Sequence, residues 1–143
     1  MKRIIALAGY PGTGKTTART TDPGLCFLPA LDVADIYDTH PGIRSKEAFA
    51  ELLHRLTVLI GEHHEAVVVE AMFVSWQRLW LACIARAYDI QLEFREFHAD
   101  VRVCIERVKA QFERELENAQ SEAERARITR RNAARLDILY ANY

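Results

Sequence analysis

The sequence predicts an α/β fold: one domain over residues 1–143, with a four-stranded parallel sheet flanked by helices. Three observations carry this expectation. Four strand-like segments alternate with helix-like ones. One of them, Ala66-Val67-Val68-Val69, is apolar at every position, as in a strand buried on both faces. An apolar run near the N-terminus opens onto a glycine-rich loop and then a helix-forming stretch.

The first strand is expected near residues 2–8. The second is expected at Leu25-Cys26-Phe27-Leu28, stopped by Pro29. The third is the Ala66–Val69 run, and the fourth is Ile90-Gln91-Leu92-Glu93-Phe94-Arg95, whose alternation suits an edge strand with one wet face. Helices fill the gaps. Ser45 is expected to cap one whose apolar positions are Phe49, Leu52, Leu53, Leu56, Leu59 and Ile60, ending at Gly61. Ser75 is expected to cap the next, with Trp76, Leu79, Trp80, Cys83, Ile84 and Ala87 along one side. The two tryptophans lie on that stripe and read as core rather than as a base-stacking platform. Asp100 caps a third helix, and Ser121-Glu122-Ala123-Glu124 forms a capping box for a last one reaching about Tyr140. No fifth strand follows.

Residues 9–16 read Gly9-Tyr10-Pro11-Gly12-Thr13-Gly14-Lys15-Thr16, a full match to G-x-x-x-x-G-K-[ST]. Glycines let the backbone curl until successive N–H groups face an anion. Lys15 reaches β- and γ-phosphates as a point charge, Thr16 offers a hydroxyl to Mg²⁺, and the following helix adds the positive end of its dipole. Gly9, Pro11, Gly12, Thr13, Gly14, Lys15, Thr16 and Thr17 are the expected nucleotide-binding residues. The strand–loop–helix order around them predicts a P-loop NTPase fold, with ATP or GTP and Mg²⁺ as the expected ligands.

The totals narrow the rest. Half of the 143 residues are apolar, which excludes disorder, and a net charge of −1 excludes a global field for nucleic acid or membrane. The three cysteines, Cys26, Cys83 and Cys104, are scattered in apolar stretches and are expected as reduced, buried thiols of a cytoplasmic protein. The apolar run after Met1-Lys2-Arg3 stops at Gly9, too short for a secretion signal, and no stretch approaches the roughly 20 residues of a membrane span. Oligomeric state is not legible.

In a parallel sheet the ligand sits beyond the carboxyl ends of the strands. Asp32 is expected after the second strand, Glu70 after the third, and His98 and Asp100 after the fourth. Asp32 is placed to deprotonate an attacking hydroxyl, the plainer alternative being that it starts the turn or helix after Pro29. Glu70 interrupts an apolar run where an idle acid is costly to bury, so Thr16 and Glu70 are the expected metal holders. Arg107 and Arg114, seven residues apart on one helix, are the expected phosphate-facing arginines of a helical lid over about residues 107–131. The other arginines of the segment from Arg107 to Arg135, namely Arg125, Arg127, Arg130, Arg131 and Arg135, are explained by ion pairs on a solvated helix pair.

On these motifs the chain resembles the P-loop kinases of the phage polynucleotide 5′-kinase type and their zeta-toxin-like, AAA-type ATP-binding relatives. Gly9–Thr16 matches the family's phosphate loop, Pro23-Gly24 through Asp32 its second strand and acceptor-activating aspartate, Glu70–Phe97 its third and fourth strands with the helix between, and Arg107 its lid helix. The resemblance implies a phosphotransferase with an alcohol acceptor, in which Lys15 and the lid arginines hold the γ-phosphoryl, Asp32 takes the acceptor's proton and Thr16 holds Mg²⁺. It implies a nucleic acid 5′-hydroxyl among the acceptors. The family's usual third-strand Asp is Glu70 here, and its arginine three residues after the aspartate is replaced, with Ala34 and Asp35 standing in that stretch. A nucleotide or small-molecule kinase of the same fold, and an ATP-hydrolysing switch or binding protein, are the alternatives.

Overall fold

The structure is a computed structural model that describes residues 3–143. The expected first strand began at residue 2, which lies outside the described residues. The chain forms two compact units, one comprising the described residues up to Gly9 together with Lys15–Phe97, the other Tyr10–Gly14 with His98–Tyr143.

The first unit is a four-stranded parallel sheet with helices on its faces. Its strands are β1 (Arg3–Ala8), β2 (Ala30–Asp32), β3 (Ala66–Ala71) and β4 (Gln91–Glu96), in the order β2-β3-β1-β4. Its helices are α1 (Lys15–Thr21), α2 (Val33–Thr39), α3 (Ser45–Ile60) and α4 (Ser75–Ala87). β1 and β3 occupy the centre, and apart from Arg3 and Glu70 both are apolar on both faces, as suits buried parallel strands. Alternation then sorts their side chains. Ile4, Ala6, Ala8, Val67, Val69 and Ala71 point into the larger core, which α2, α3 and α4 close with Ile36, Phe49, Leu52, Leu56 and Leu81. Ile5, Leu7, Ala66 and Val68 point the other way, into a smaller core with Leu25.

The second strand is not where its apolar residues suggested. Leu25–Leu28 form consecutive turns, tied by Leu25 N–H and Cys26 N–H to Asp22 O and by Leu28 N–H to Leu25 O. Asp22 also accepts from Gly24 N–H, closing an Asx turn. Leu25 is buried because the turn drops it onto the sheet, while Phe27 is 91% exposed. Pro29 precedes the real strand rather than stopping one; its carbonyl accepts from Val68 N–H, and a strand start on a sheet edge tolerates a residue without an N–H. Ser45 and Ser75 prove to be first helical residues, the caps being Arg44 and Val74. Gln77 Oε1 closes the α4 end by accepting from Val74 N–H at 3.0 Å. Trp76 and Trp80 pack on the larger core, with Phe49 meeting Phe73 and Trp76 edge-on.

The second unit holds α5 (Val101–Glu117) and α6 (Glu122–Ala141). Asp100 and Ser121 cap them as expected, through Arg102 N–H and Glu124 N–H. Glu124 turns back to Gln120 N–H, one residue before the position a strict capping box would use. Cys104, Ile105, Val108 and Leu139 form a core of their own, and Arg131 pairs with Glu115 from one helix to the other. Of the three free cysteines only Cys104 is buried; Cys26 and Cys83 are exposed, against expectation, because the turn and the outer face of α4 carry them outward. Among the described residues no helix is long and apolar enough to cross a membrane.

Phe49 is fully buried and meets three aromatic rings. Phe49→Ala is expected to cost about 3–5 kcal/mol in urea unfolding followed by tryptophan fluorescence.

Candidate active site

Glu70 stands one residue before the end of β3, not beyond it, and Asp32 is the last residue of β2. The two are opposite one another in the parallel register. Side-chain alternation puts them on one face: Leu31 packs on the larger core, so Asp32 turns the other way, as Glu70 does after Val69. That is the face bearing α1. Thr16 Oγ1 donates to Glu70 Oε1 at 2.7 Å, and Arg19 Nε donates to Glu70 Oε2 at 3.0 Å. Arg19 Nη2 lies 3.9 Å from Asp32 Oδ2. Lys15, buried, donates through Nζ to Gly9 O and to Ala71 O, which ties the start of α1 to the ends of β1 and β3. α1 stops after seven residues because Pro23 disfavours helical backbone at Asp22.

Asp32 combines two roles weighed against each other in the sequence. Its Oδ1 accepts from Ala34 N–H at 2.9 Å and so caps α2, leaving Oδ2 for other work. Its carboxyl is pushed up to about 6, first by burial and then by the neighbouring Glu70 charge, with the Ala34 N–H and Arg19 pulling the other way. A carboxyl poised there is ionised at neutral pH yet basic enough to take a proton.

Thr16 and Glu70 have the donors that a hard divalent cation requires: a hydroxyl and a buried carboxylate, with a second carboxylate alongside. Among the described residues no group of three or more His, Cys, Asp or Glu side chains gathers as a metal cage. A cation here would therefore complete its shell with water and phosphate oxygens, the habit of Mg²⁺ rather than of a structural metal.

The tip of the loop belongs to the second unit. Thr13 Oγ1 donates to Tyr10 O at 2.8 Å, and Tyr10 Oη donates to Asn142 Oδ1 at 3.1 Å. Gly12 (φ 79°) and Gly14 (φ 97°) occupy left-handed backbone, the curl that turns N–H groups inward. Arg107 Nη1 donates to Gly12 O at 3.1 Å, so one of the two expected arginines meets the loop. Arg114, two turns further along α5, instead lines a cavity of about 420 Å³ with Arg127 and Arg131. His98 and Asp100 follow β4, and Asp100 serves as the α5 cap.

Sequence reasoning missed Arg19. The signal was available in its spacing: it follows Thr16 by three residues and so shares its helix face. Without knowing that Asp32 and Glu70 turn to that face, nothing distinguished it from a solvated arginine.

No protein-family model and no curated protein sequence matches the chain. Solved structures do. A provisionally named kinase from Chloroflexus aurantiacus j-10-fl aligns over 89% of this chain and 74% of its own, at 19% identity and a TM-score of 0.64. A chain of the Pnkp1/Rnl/Hen1 RNA repair complex is matched over 99% of this chain but only 46% of its own length, at 14% identity and a TM-score of 0.61. A gluconokinase from Sinorhizobium meliloti 1021 aligns over 96% of this chain and 93% of its own, at 18% identity and a TM-score of 0.54. At these identities the likeness is one of fold alone, shared with structures that are named as kinases.

Gly12 and Gly14 separate two costs. A Cβ on Gly14 meets nothing within 4 Å, whereas one on Gly12 would lie 2.8 Å from Cys104 O. Gly14→Ala is expected to lose about 1–2 kcal/mol from left-handed backbone alone. Gly12→Ala should lose more, because backbone atoms cannot step aside. Thermal unfolding of the two variants checks the order.

Proposed function

We propose that the protein is a P-loop kinase, an ATP-dependent phosphotransferase acting on an acceptor hydroxyl. The observation that carries this is the convergence of Thr16 with Glu70 and, in register beside it, Asp32, at the end of the sheet where the phosphate loop begins. A loop that only bound a nucleotide would have no use for a second, half-buried acid with a raised pKa. On this reading the domain spans residues 1–143, with about 107–131 as its lid.

Backbone N–H groups of Gly9–Thr16 and the Lys15 ammonium would hold the triphosphate. Thr16 and Glu70 would hold Mg²⁺, which supplies charge neutralisation for the phosphates when bound. Asp32 accepts the proton of the acceptor hydroxyl as its oxygen bonds to the γ-phosphorus. The bond from that phosphorus to the β–γ bridging oxygen breaks, and the nucleoside diphosphate leaves with the electron pair. Arg107, now on Gly12 O, would swing to the γ-phosphoryl oxygens, where negative charge spreads during transfer; Arg114 would follow it. ATP and GTP are both accommodated by this chemistry.

The acceptor proposed first is a nucleic acid 5′-hydroxyl. It is supported by the motif resemblance to phage-type polynucleotide 5′-kinases and by the fold likeness to a component of an RNA repair complex. A small polyol is the second acceptor class, supported by the near-complete overlap with a gluconokinase and by a net charge of −1, which provides no general attraction for polyanions.

Asp32→Ala is expected to retain ATP binding and lose about 10²–10⁴-fold in transfer rate. Unchanged transfer would remove Asp32 from the chemistry. For the wild type, kcat/KM should rise with pH up to about 6 and then level, because the base works only when ionised. Asp32→Asn should lack that limb. Affinity for a 5′-hydroxyl oligonucleotide should fall steeply with salt; a flat salt response would point to the polyol class.

A further inference from the structure

The acid pair carries its own counter-charge. Arg19 Nε sits on Glu70 Oε2, its Nη2 faces Asp32 Oδ2, and the remaining Glu70 oxygen is taken by Thr16. The Glu70 and Asp32 side chains are 5% and 16% exposed, and that of Arg19 is 23% exposed. Two carboxylates so far from water repel each other and need a positive partner. A guanidinium suits this position, since it never loses its charge and its planar fork reaches two acids at once. It therefore occupies the ground a divalent cation would otherwise claim. Free Mg²⁺ sheds water reluctantly, and to bind here it must compete with an ion pair already made. A cation chelated by nucleotide phosphates has most of its shell filled and needs little more than the Thr16 hydroxyl and the Glu70 Oε1 beside it.

We propose that Arg19 is a positioning residue that keeps the Asp32–Glu70 pair closed to free divalent cations and admits a cation delivered on a nucleotide. It acts through Glu70, holding Oε2 so that Oε1 stays on Thr16. The idea rests on Thr16 and Glu70 as the holders of the nucleotide's cation. It goes further by fixing the order of arrival, with metal and nucleotide entering together.

The test is Mn²⁺ binding at pH 8, read by electron paramagnetic resonance of the unbound ion, with and without ATP. Wild type should take up Mn²⁺ only with ATP present; equally tight uptake without nucleotide overturns the proposal and needs no variant. Arg19→Gln should bind free Mn²⁺ at least about tenfold more tightly than wild type, since one opposing unit charge is gone. Arg19→Lys, which keeps the charge, should stay near wild type. Adding Glu70→Gln to Arg19→Gln should erase the gain. An Arg19→Gln protein that is folded by circular dichroism yet binds free Mn²⁺ no better than wild type overturns the proposal. So does Arg19→Lys matching Arg19→Gln, or a gain that survives in the double variant. Failure of wild type to bind Mg·ATP would sink the kinase assignment instead, and the comparison in free Mn²⁺ would still decide the role of Arg19.

Discussion

Two carboxylates sit side by side at the ends of neighbouring strands, mostly out of water. This is the constraint on which the site depends. Such a pair is expensive, and the structure offsets it with whatever the adjoining helix supplies: the Thr16 hydroxyl, the Arg19 guanidinium and, for Asp32, the Ala34 N–H. A fold selected only for stability would replace Glu70 with an apolar residue, as at every other position of its strand. That it keeps the acid, and keeps a second one in register, is a physical reason to look for charge chemistry there.

The architecture makes this arrangement cheap to build. In a parallel sheet all strands end on the same side, and alternation decides which face each side chain takes. With Leu31 and Val69 committed to the larger core, Asp32 and Glu70 are forced together onto the opposite face. α1 lies on that face because the loop after the central strand leads into it, so Thr16 and Arg19, three residues apart, reach the acids from above. The order β2-β3-β1-β4 places β3 between the phosphate loop's strand and Asp32's strand, which makes Glu70 the middle member of the site.

Much of this was legible before any coordinates. The continuous apolar runs of β1 and β3 carry a strong signal because both faces are buried, and the glycine spacing anticipates the left-handed curl at Gly12 and Gly14. Asp100 and Ser121 cap helices through ordinary side-chain chemistry. What failed did so for identifiable reasons. β2 has three residues and lies on an edge, so it offers almost no pattern; the apolar residues just before it belong to a turn that buries Leu25 for the smaller core. Ser45 and Ser75 look like caps, but extended backbone at Arg44 and Val74 does that work. Cys26 and Cys83 sit among apolar neighbours in sequence and yet point outward. Arg19 was invisible because its meaning depends on two acids 13 and 51 residues away, brought together only by strand register.

The central claim is that the glycine loop wraps a triphosphate and presents its terminal phosphoryl group to this acid pair. Calorimetric titration of wild type and Lys15→Ala with Mg·ATP and Mg·GTP tests it most directly. Saturable binding of at least one nucleotide by the wild type, weakened or lost in Lys15→Ala, is the predicted result. No saturable uptake of either nucleotide by the wild type, or equal binding by both proteins, would contradict it.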